Sequence, residues 1–329
     1  MRAWRVHELG EPEDVLELQE VEDPEASPEE VVIEVEAAAL NFFDILLCQG
    51  RYQERPPLPF TPGAEVSGTV ATAGERAALV EGTRVIATPQ LPEGGFAEKV
   101  SVPVKGSIFP IPDGMPFEKA AAMHTVYQTA HVGLHRRAGL GEGEVVLVHA
   151  GAGGVGSAAI QVARAAGAHV ISTAGDAEKV ELCRKLGAEI AVDYKEEDFV
   201  EAVKEATDGR GADVIIDPVG GDVFDRSRRC VAFEGRIIIV GFTSGRIASA
   251  PTNHALVKNY SVIGLHWGLY NKKMPQLVAE THEALVQLYK DGEINPLVHK
   301  TVPFGQVPEA LKLLGSRKTR GKLVTSPKN

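Results

Sequence analysis

Gly151, Gly153 and Gly156 in HAGAGGVGSAAIQVARAAGA follow the spacing G-x-G-x-x-G. The apolar run VVLVHA before them reads as a strand, and SAAIQVARAAG after them as a helix, so the glycines occupy a strand-to-helix turn. Such a turn offers backbone N–H groups and the positive end of a helix dipole to a pyrophosphate. Gly151 is expected to permit the tight turn, Gly153 to let the backbone approach the phosphates, and Gly156 to allow close helix–strand packing. Gly154 and Val155, within the same turn, are expected to contact the cofactor as well. The next strand, HVIST, ends at Thr173-Ala174-Gly175. An NAD-specific unit places an acid there for the ribose hydroxyls, and that acid would repel a 2′-phosphate. Thr173 and Ala174 are uncharged, and Lys179 follows on the first turn of the next helix, so the pattern selects NADPH. Asp176 reads as the N-cap of DAEKVELCRKLG rather than as the missing acid.

The elements around this turn alternate. VVLVHA, HVIST, IAVDY, DVIIDPVG, RIIIVGF and YSVIGLHW are Val/Ile-rich runs, and helical patterns such as DAEKVELCRKLG and EEDFVEAVKEATDG separate them. That order is the signature of a doubly wound parallel sheet covered on both faces. The first third differs: VVIEVEAAAL, EVSGTVATAG, TRVIAT and GFAEKVSVP are short strands punctuated by Gly and Pro, as in a barrel-like or sandwich-like β domain. Between the two, PFEKAAAMHTVYQTAHVGLHRRAGL predicts one helix. After the α/β unit come the amphipathic helix PQLVAETHEALVQLYKDGEI and a closing strand–helix–strand. The simplest topology inserts a Rossmann domain, 123–267, into a β-rich domain made of 1–122 and 268–329, with the catalytic site between them.

A chain of 329 residues with net charge −11 is long enough for two cores and carries no basic excess for nucleic acid or an anionic membrane. Cys48, Cys183 and Cys230 lie far apart, with no CxxC pair, which fits a reducing compartment. The N-terminal MRAWRVHELGEPED lacks the apolar core of a signal peptide. Residues 145–163 contain no Asp, Glu, Lys or Arg, but their glycines and His149, Ser157 and Gln161 suit a strand, turn and helix rather than a membrane span. The chain is therefore expected to be cytoplasmic.

VEAAALNFFDILLCQGRYQERPPLPFTPGAEVSGTV, AGAGGVGSAAIQVARAAGA, EKVELCRKLGA, DVIIDPVGG and SRKTRGKLV together resemble the medium-chain dehydrogenase/reductase superfamily, across essentially the whole chain. Within it they are most similar to the zinc-free quinone oxidoreductases, the zeta-crystallin-like branch. A homodimer is expected through the sheet edge near RIIIVG and YSVIGL, because an uncovered apolar edge would invite aggregation. The resemblance implies a GroES-like catalytic domain carrying the Rossmann insertion. It also implies roles residue by residue. Asn41 would lie beside the nicotinamide and substrate, Tyr52 at the mouth of the pocket as a hydrogen-bond or proton donor, and Asp44 as a positioning group. Thr125 would contact the nicotinamide-side phosphate or ribose, and Lys179 and Tyr194 the adenosine ribose and 2′-phosphate. Gly241-Phe242-Thr243 and Leu265-His266-Trp267 would flank the nicotinamide, and Arg317 would reach the adenosine end.

Zinc-dependent members carry Cys, His and Cys where this chain has Asn41, Ala64 and, nearby, Ala121, so the first coordination shell is missing. His131 and His135 stand four residues apart, but without a third ligand they read as surface or packing residues. Without a metal to polarise a carbonyl, the expected acceptors are those that delocalise the incoming charge: quinones, or alkenes conjugated to a carbonyl. One departure counts against a quinone. Leu46 stands where bacterial quinone reductases often have Tyr, which makes the pocket more apolar. The alternatives are an enoyl-thioester or 2-alkenal reductase on the same scaffold, and a non-catalytic NADPH-binding protein of the crystallin kind.

Overall fold

The computed structural model describes residues 1–328. The chain opens on β1 (Arg2–Val6), α1 (Pro12–Val15), β2 (Leu16–Glu20), β3 (Glu30–Leu40), α2 (Phe42–Cys48) and β4 (Val66–Ala73). β5 (Arg84–Ala87), β6 (Lys99–Pro103), β7 (Ile108–Pro110) and α3 (Phe117–His131) follow. The alternating stretch comprises β8 (Val145–Val148), α4 (Gly154–Ala165), β9 (His169–Ala174), α5 (Ala177–Leu186), β10 (Ile190–Asp193) and α6 (Phe199–Ala206). It continues with β11 (Ala212–Asp217), α7 (Gly221–Ser227), β12 (Val231–Ile239), α8 (Thr252–Lys258) and β13 (Ser261–Gly264). The chain closes with α9 (Gly268–Lys273), α10 (Pro275–Lys290), β14 (Val298–Pro303), α11 (Val307–Gly315) and β15 (Lys322–Ser326).

Two compact units result. The first holds Met1–Thr125, Asn271–His282 and the segment from Pro296 onward; the second holds Val126–Tyr270 and Glu283–Asn295. The first junction, after Thr125, lies slightly beyond the 122 read from the sequence. The second differs more: Glu283–Asn295, expected in the β-rich domain, groups with the α/β unit, so the division falls within α10. Uninterrupted amphipathic periodicity through α10 carries no mark of that change.

In the first unit the main sheet runs β14-β15-β3-β4-β5-β7, with β6 also paired to β3. The C-terminal β15 thus lies antiparallel beside β3, Leu323 opposite Leu40, as the topology read from the sequence requires. Val31, Ile33, Val35, Phe60, Phe96, Phe304 and Leu323 form the core of this unit. Each such side chain, fully buried, stabilises by about 1.5–3 kcal/mol before chain entropy is set against it.

In the second unit the strands run β10-β9-β8-β11-β12-β13, every neighbouring pair parallel. Strand order reverses between β8 and β11, the switch point at which this fold binds ligands beyond the carboxyl ends of its strands. Leu147, Ile171, Val203, Ile215, Phe224 and Ile237 pack together on this sheet. The segment read as one helix ends instead in a π turn, Val132–Arg137, where the Cβ position of Gly133 lies 3.2 Å from Leu265 Cδ2. His131 precedes that turn and His135 lies within it, their ring centroids 4.4 Å apart.

Candidate functional site

In the second unit, the carboxyl ends of the parallel strands collect nearly all the residues expected at the cofactor. The glycine turn follows β8, Thr173 lies near the end of β9, Lys179 is in the first turn of α5, and Tyr194 follows β10. Gly241-Phe242-Thr243 follows β12 and Leu265-His266-Trp267 follows β13. Parallel strands place all of these on one edge of the sheet.

The glycine turn has a different division of labour from the one expected. The left-handed residue is Ala150, at φ +51°, not Gly151. A Cβ on Gly151 would lie 1.9 Å from Ser172 Oγ and 2.8 Å from Cys183 Sγ, so this glycine lets the turn press against β9 and α5. A Cβ on Gly156 would meet Ala150 O at 2.2 Å and Gly151 Cα at 2.7 Å, so it is the helix-to-turn contact that excludes a side chain there. At Gly153 the nearest atom is Ala150 O at 3.2 Å, and this residue is the N-cap of α4 without any side-chain cap. The first N–H groups of α4, at Gly154, Val155 and Gly156, have no carbonyl one turn earlier within the helix and are available to an anion.

At the end of β9, Thr173 is buried and its Oγ1 lies 3.0 Å from His149 Nδ1, with His149 Nε2 2.8 Å from Ser227 Oγ. Burial holds the His149 imidazole neutral, its pKa lowered to about 3. Asp176 caps α5 as expected, its Oδ1 accepting the Lys179 N–H at 2.8 Å. The Lys179 ammonium lies 3.6 Å from Asp176 Oδ2. Tyr194 reaches across the next position: a Cβ on Gly175 would lie 2.6 Å from its hydroxyl. Gly175 is thus the residue that lets this phenol lie against the β9 loop. Beyond β12 and β13, Thr243 Oγ1 donates to Pro218 O at 3.0 Å, and the Leu265 N–H donates to Ile239 O at 2.9 Å. Trp267 is buried.

The first unit brings Asn41 and Thr125 together through two residues the sequence reading did not select. Asn41 follows β3 and N-caps α2; its backbone N–H donates to Asp44 Oδ2 at 2.7 Å, and Asp44 Oδ1 accepts the Gly63 N–H at 3.2 Å. Asp44 therefore fixes the start of α2, and its burial raises its pKa to about 7. Glu65 Oε1 accepts from Asn41 Nδ2 at 2.9 Å and from Lys322 Nζ at 2.6 Å, while Glu65 Oε2 accepts the Thr125 N–H at 2.7 Å. Lys322 Nζ also donates to Asn41 Oδ1 at 2.5 Å. Lys322 and Glu65 are buried, their side chains 5 % and 0 % exposed. A usable signal existed: Lys322 heads KLVTS, a strand buried at every position, and a cation there needs a buried partner.

Tyr52 is half-buried and stacks on Phe43, ring centroids 5.4 Å apart at 27°. Burial, with the negative charges of Glu54 and Asp44, pushes its phenol up to about 12, so it holds its proton near neutral pH. Arg317 follows α11, exposed, at φ +61°. Among the described residues no cluster of three or more His, Cys, Asp and Glu is arranged to hold a metal, and no helix is long and apolar enough to cross a membrane.

Comparison with known proteins agrees with both halves of this geometry. Residues 27–113 match the alcohol dehydrogenase GroES-like domain, and residues 154–283 match the zinc-binding dehydrogenase domain. The quinone oxidoreductase-like protein 2 homolog of Nematostella vectensis is 40% identical over 99% of this chain and 89% of its own length. The quinone oxidoreductase of Thermus thermophilus, solved alone and with NADPH, superposes with a TM-score of 0.86 at 37% identity, over 99% of this chain and 100% of that one. The Escherichia coli quinone oxidoreductase complexed with NADPH gives 0.92 at 29% identity over the same shares of each chain. With its GroES-like and Rossmann halves, and with relatives matched along almost its full length, this chain belongs to the quinone oxidoreductase branch of the medium-chain dehydrogenase/reductase superfamily.

Proposed function

We propose that this protein is an NADPH-dependent oxidoreductase that delivers hydride to a quinone or to an α,β-unsaturated carbonyl compound, without a metal. The observation that carries the cofactor reading is the acid-free end of β9, with Tyr194 beside Gly175 and Lys179 on the first turn of α5. The bare backbone at Gly153 and the uncapped start of α4 suit the pyrophosphate, and the solved relatives complexed with NADPH support the assignment. Bound NADPH would supply the hydride. Thr173, Lys179 and Tyr194 would hold its adenosine end; Thr125, the GFT and LHW segments and Asn41 would hold its nicotinamide end, and Arg317 would reach the adenosine.

A catalytic zinc does not fit the residues at the corresponding place. Asn41, Ala64 and Ala121 supply no thiolate or imidazole, and the Lys322 ammonium already lies within 2.6 Å of Asn41 and Glu65 oxygens. No Lewis acid then polarises the substrate, which favours acceptors that delocalise the added electron pair. The protonated Tyr52 hydroxyl is the donor this chain offers to a developing oxyanion. Half-buried Leu46 makes the same segment more apolar, and the acceptors to set beside a quinone are an enone, a 2-alkenal and an enoyl-thioester.

We further propose a cytoplasmic homodimer. β13 is an edge strand, and α8 and β13 expose Leu256, Val257 and Val262, at 77 %, 78 % and 38 %. Pairing with a second copy would cover that edge. Initial rates of NADPH oxidation with a quinone, an enone, a 2-alkenal and an enoyl-CoA rank the acceptor classes. Tight NADPH binding with no oxidation by any of them would leave a non-catalytic binding protein instead.

A further inference from the structure

We propose that Lys322 and Glu65 are positioning residues that lock Asn41 and Thr125 into one rigid unit for the reaction. The inference rests on the reading that Asn41 and Thr125 face the nicotinamide. The side-chain chemistry leaves Asn41 a single orientation. Its Oδ1, an acceptor, lies 2.5 Å from an ammonium that can only donate. Its Nδ2, a donor, lies 2.9 Å from Glu65 Oε1, which can only accept when ionised, and 3.3 Å from Ala39 O. Every hydrogen-bonding atom of the Asn41 amide is thereby engaged by the protein, and rotating the amide would set ammonium against NH₂ and carboxylate against oxygen.

Glu65 extends the lock to a second element, because its other oxygen accepts the Thr125 N–H at 2.7 Å. One carboxylate therefore ties together the end of β3, the start of β15 and the middle of α3. Asn41 thus works as a preset surface of the pocket rather than as a group that swings to bind substrate. The pair acts through Asn41 and Thr125. Such preorganisation contributes to the reaction when a misplaced contact would raise the barrier, with little effect on ground-state binding.

Two measurements test this. The first is NMR of the unmodified protein: the Asn41 side-chain amide protons should exchange with solvent far more slowly than those of an exposed asparagine. Exchange as fast as that of an exposed asparagine would overturn the proposal without any variant or any acceptor. The second compares the parent with the double variant E65Q/K322M, which removes both charges together and strands neither in the core. The folded double variant should keep KM for NADPH within about threefold, lose about tenfold or more in kcat, and show a displaced, faster-exchanging Asn41 amide. A variant with parent-like kcat and an unmoved amide signal would show that the pair is only structural and refute the proposal. If the parent itself oxidises no NADPH, the functional reading fails, while the amide signals still decide the positioning.

Discussion

Replacing Lys179 by Met removes the charge assigned to the 2′-phosphate and keeps the apolar stem. The side chain is 17 % exposed, so its ammonium acts in a partly desolvated place, and its N–H anchors α5 through Asp176 whatever the side chain is. One charge-assisted hydrogen bond to a phosphate is worth about 1.5–3 kcal/mol. Coulomb attraction across about 4 Å is about 1 kcal/mol in bulk water and about 4 kcal/mol at a surface-like dielectric, which brackets that range. The substitution also deprives the Asp176 carboxylate of the ammonium 3.6 Å away and leaves it facing the same phosphate. K179M should therefore weaken NADPH by about 10- to 150-fold, with NADH altered less than about threefold because it carries no 2′-phosphate to lose. Titration by nucleotide fluorescence and kcat/KM with each nucleotide both read this. An NADPH-to-NADH preference that moves less than about threefold would refute the assignment of Lys179.

The remaining expectations concern the glycine turn, the buried histidines and the sheet edge. Gly156→Ala forces a Cβ onto backbone atoms at 2.2 and 2.7 Å and should cost about 1–3 kcal/mol of stability, read as a urea midpoint. Gly153→Ala, whose nearest obstacle is 3.2 Å away, should move the midpoint less than Gly156→Ala and weaken NADPH by about tenfold. His124 and His282 of the first unit are buried with Phe109, and burial lowers their pKa from 6.5 to about 3 and about 4. Both are neutral when folded and take up protons when unfolded, so their contribution is whole above pH 6.5 and is lost as pH falls towards 4 and 3. Together they should contribute about 2 kcal/mol to the loss between about pH 6.5 and 5.5, beside the like-signed share of His149, and His124→Phe should remove about 1 kcal/mol of it; an unchanged slope would contradict this. Val262→Lys on the edge strand should shift the sedimentation coefficient from dimer to monomer, and a dimer that survives it places the interface elsewhere.

Local chemistry was legible in the sequence, and long-range pairing was not. Asp176 capping α5, the acid-free end of HVIST and the alternation of β and α runs are decided within a few residues, and the structure has them where they were read. Glycine roles were less legible, since Gly151 answers to Ser172 and Cys183, which only the fold brings near. Glu65 and Lys322 were missed for the same reason in stronger form: their contact spans 257 residues. The sequence shows a Glu after two small residues and a Lys before an apolar run, and neither names its partner. The division within α10 was hidden because a helix buried on one face keeps the same periodicity whichever unit it packs on.

The most direct test of the whole account is nucleotide oxidation by chelator-dialysed protein, with a quinone and an enone supplied in turn. Turnover should be neither restored nor enhanced by zinc, with kcat/KM for NADPH at least about tenfold above NADH. Activity that appears only when zinc is added, or equal use of NADH, would contradict that expectation.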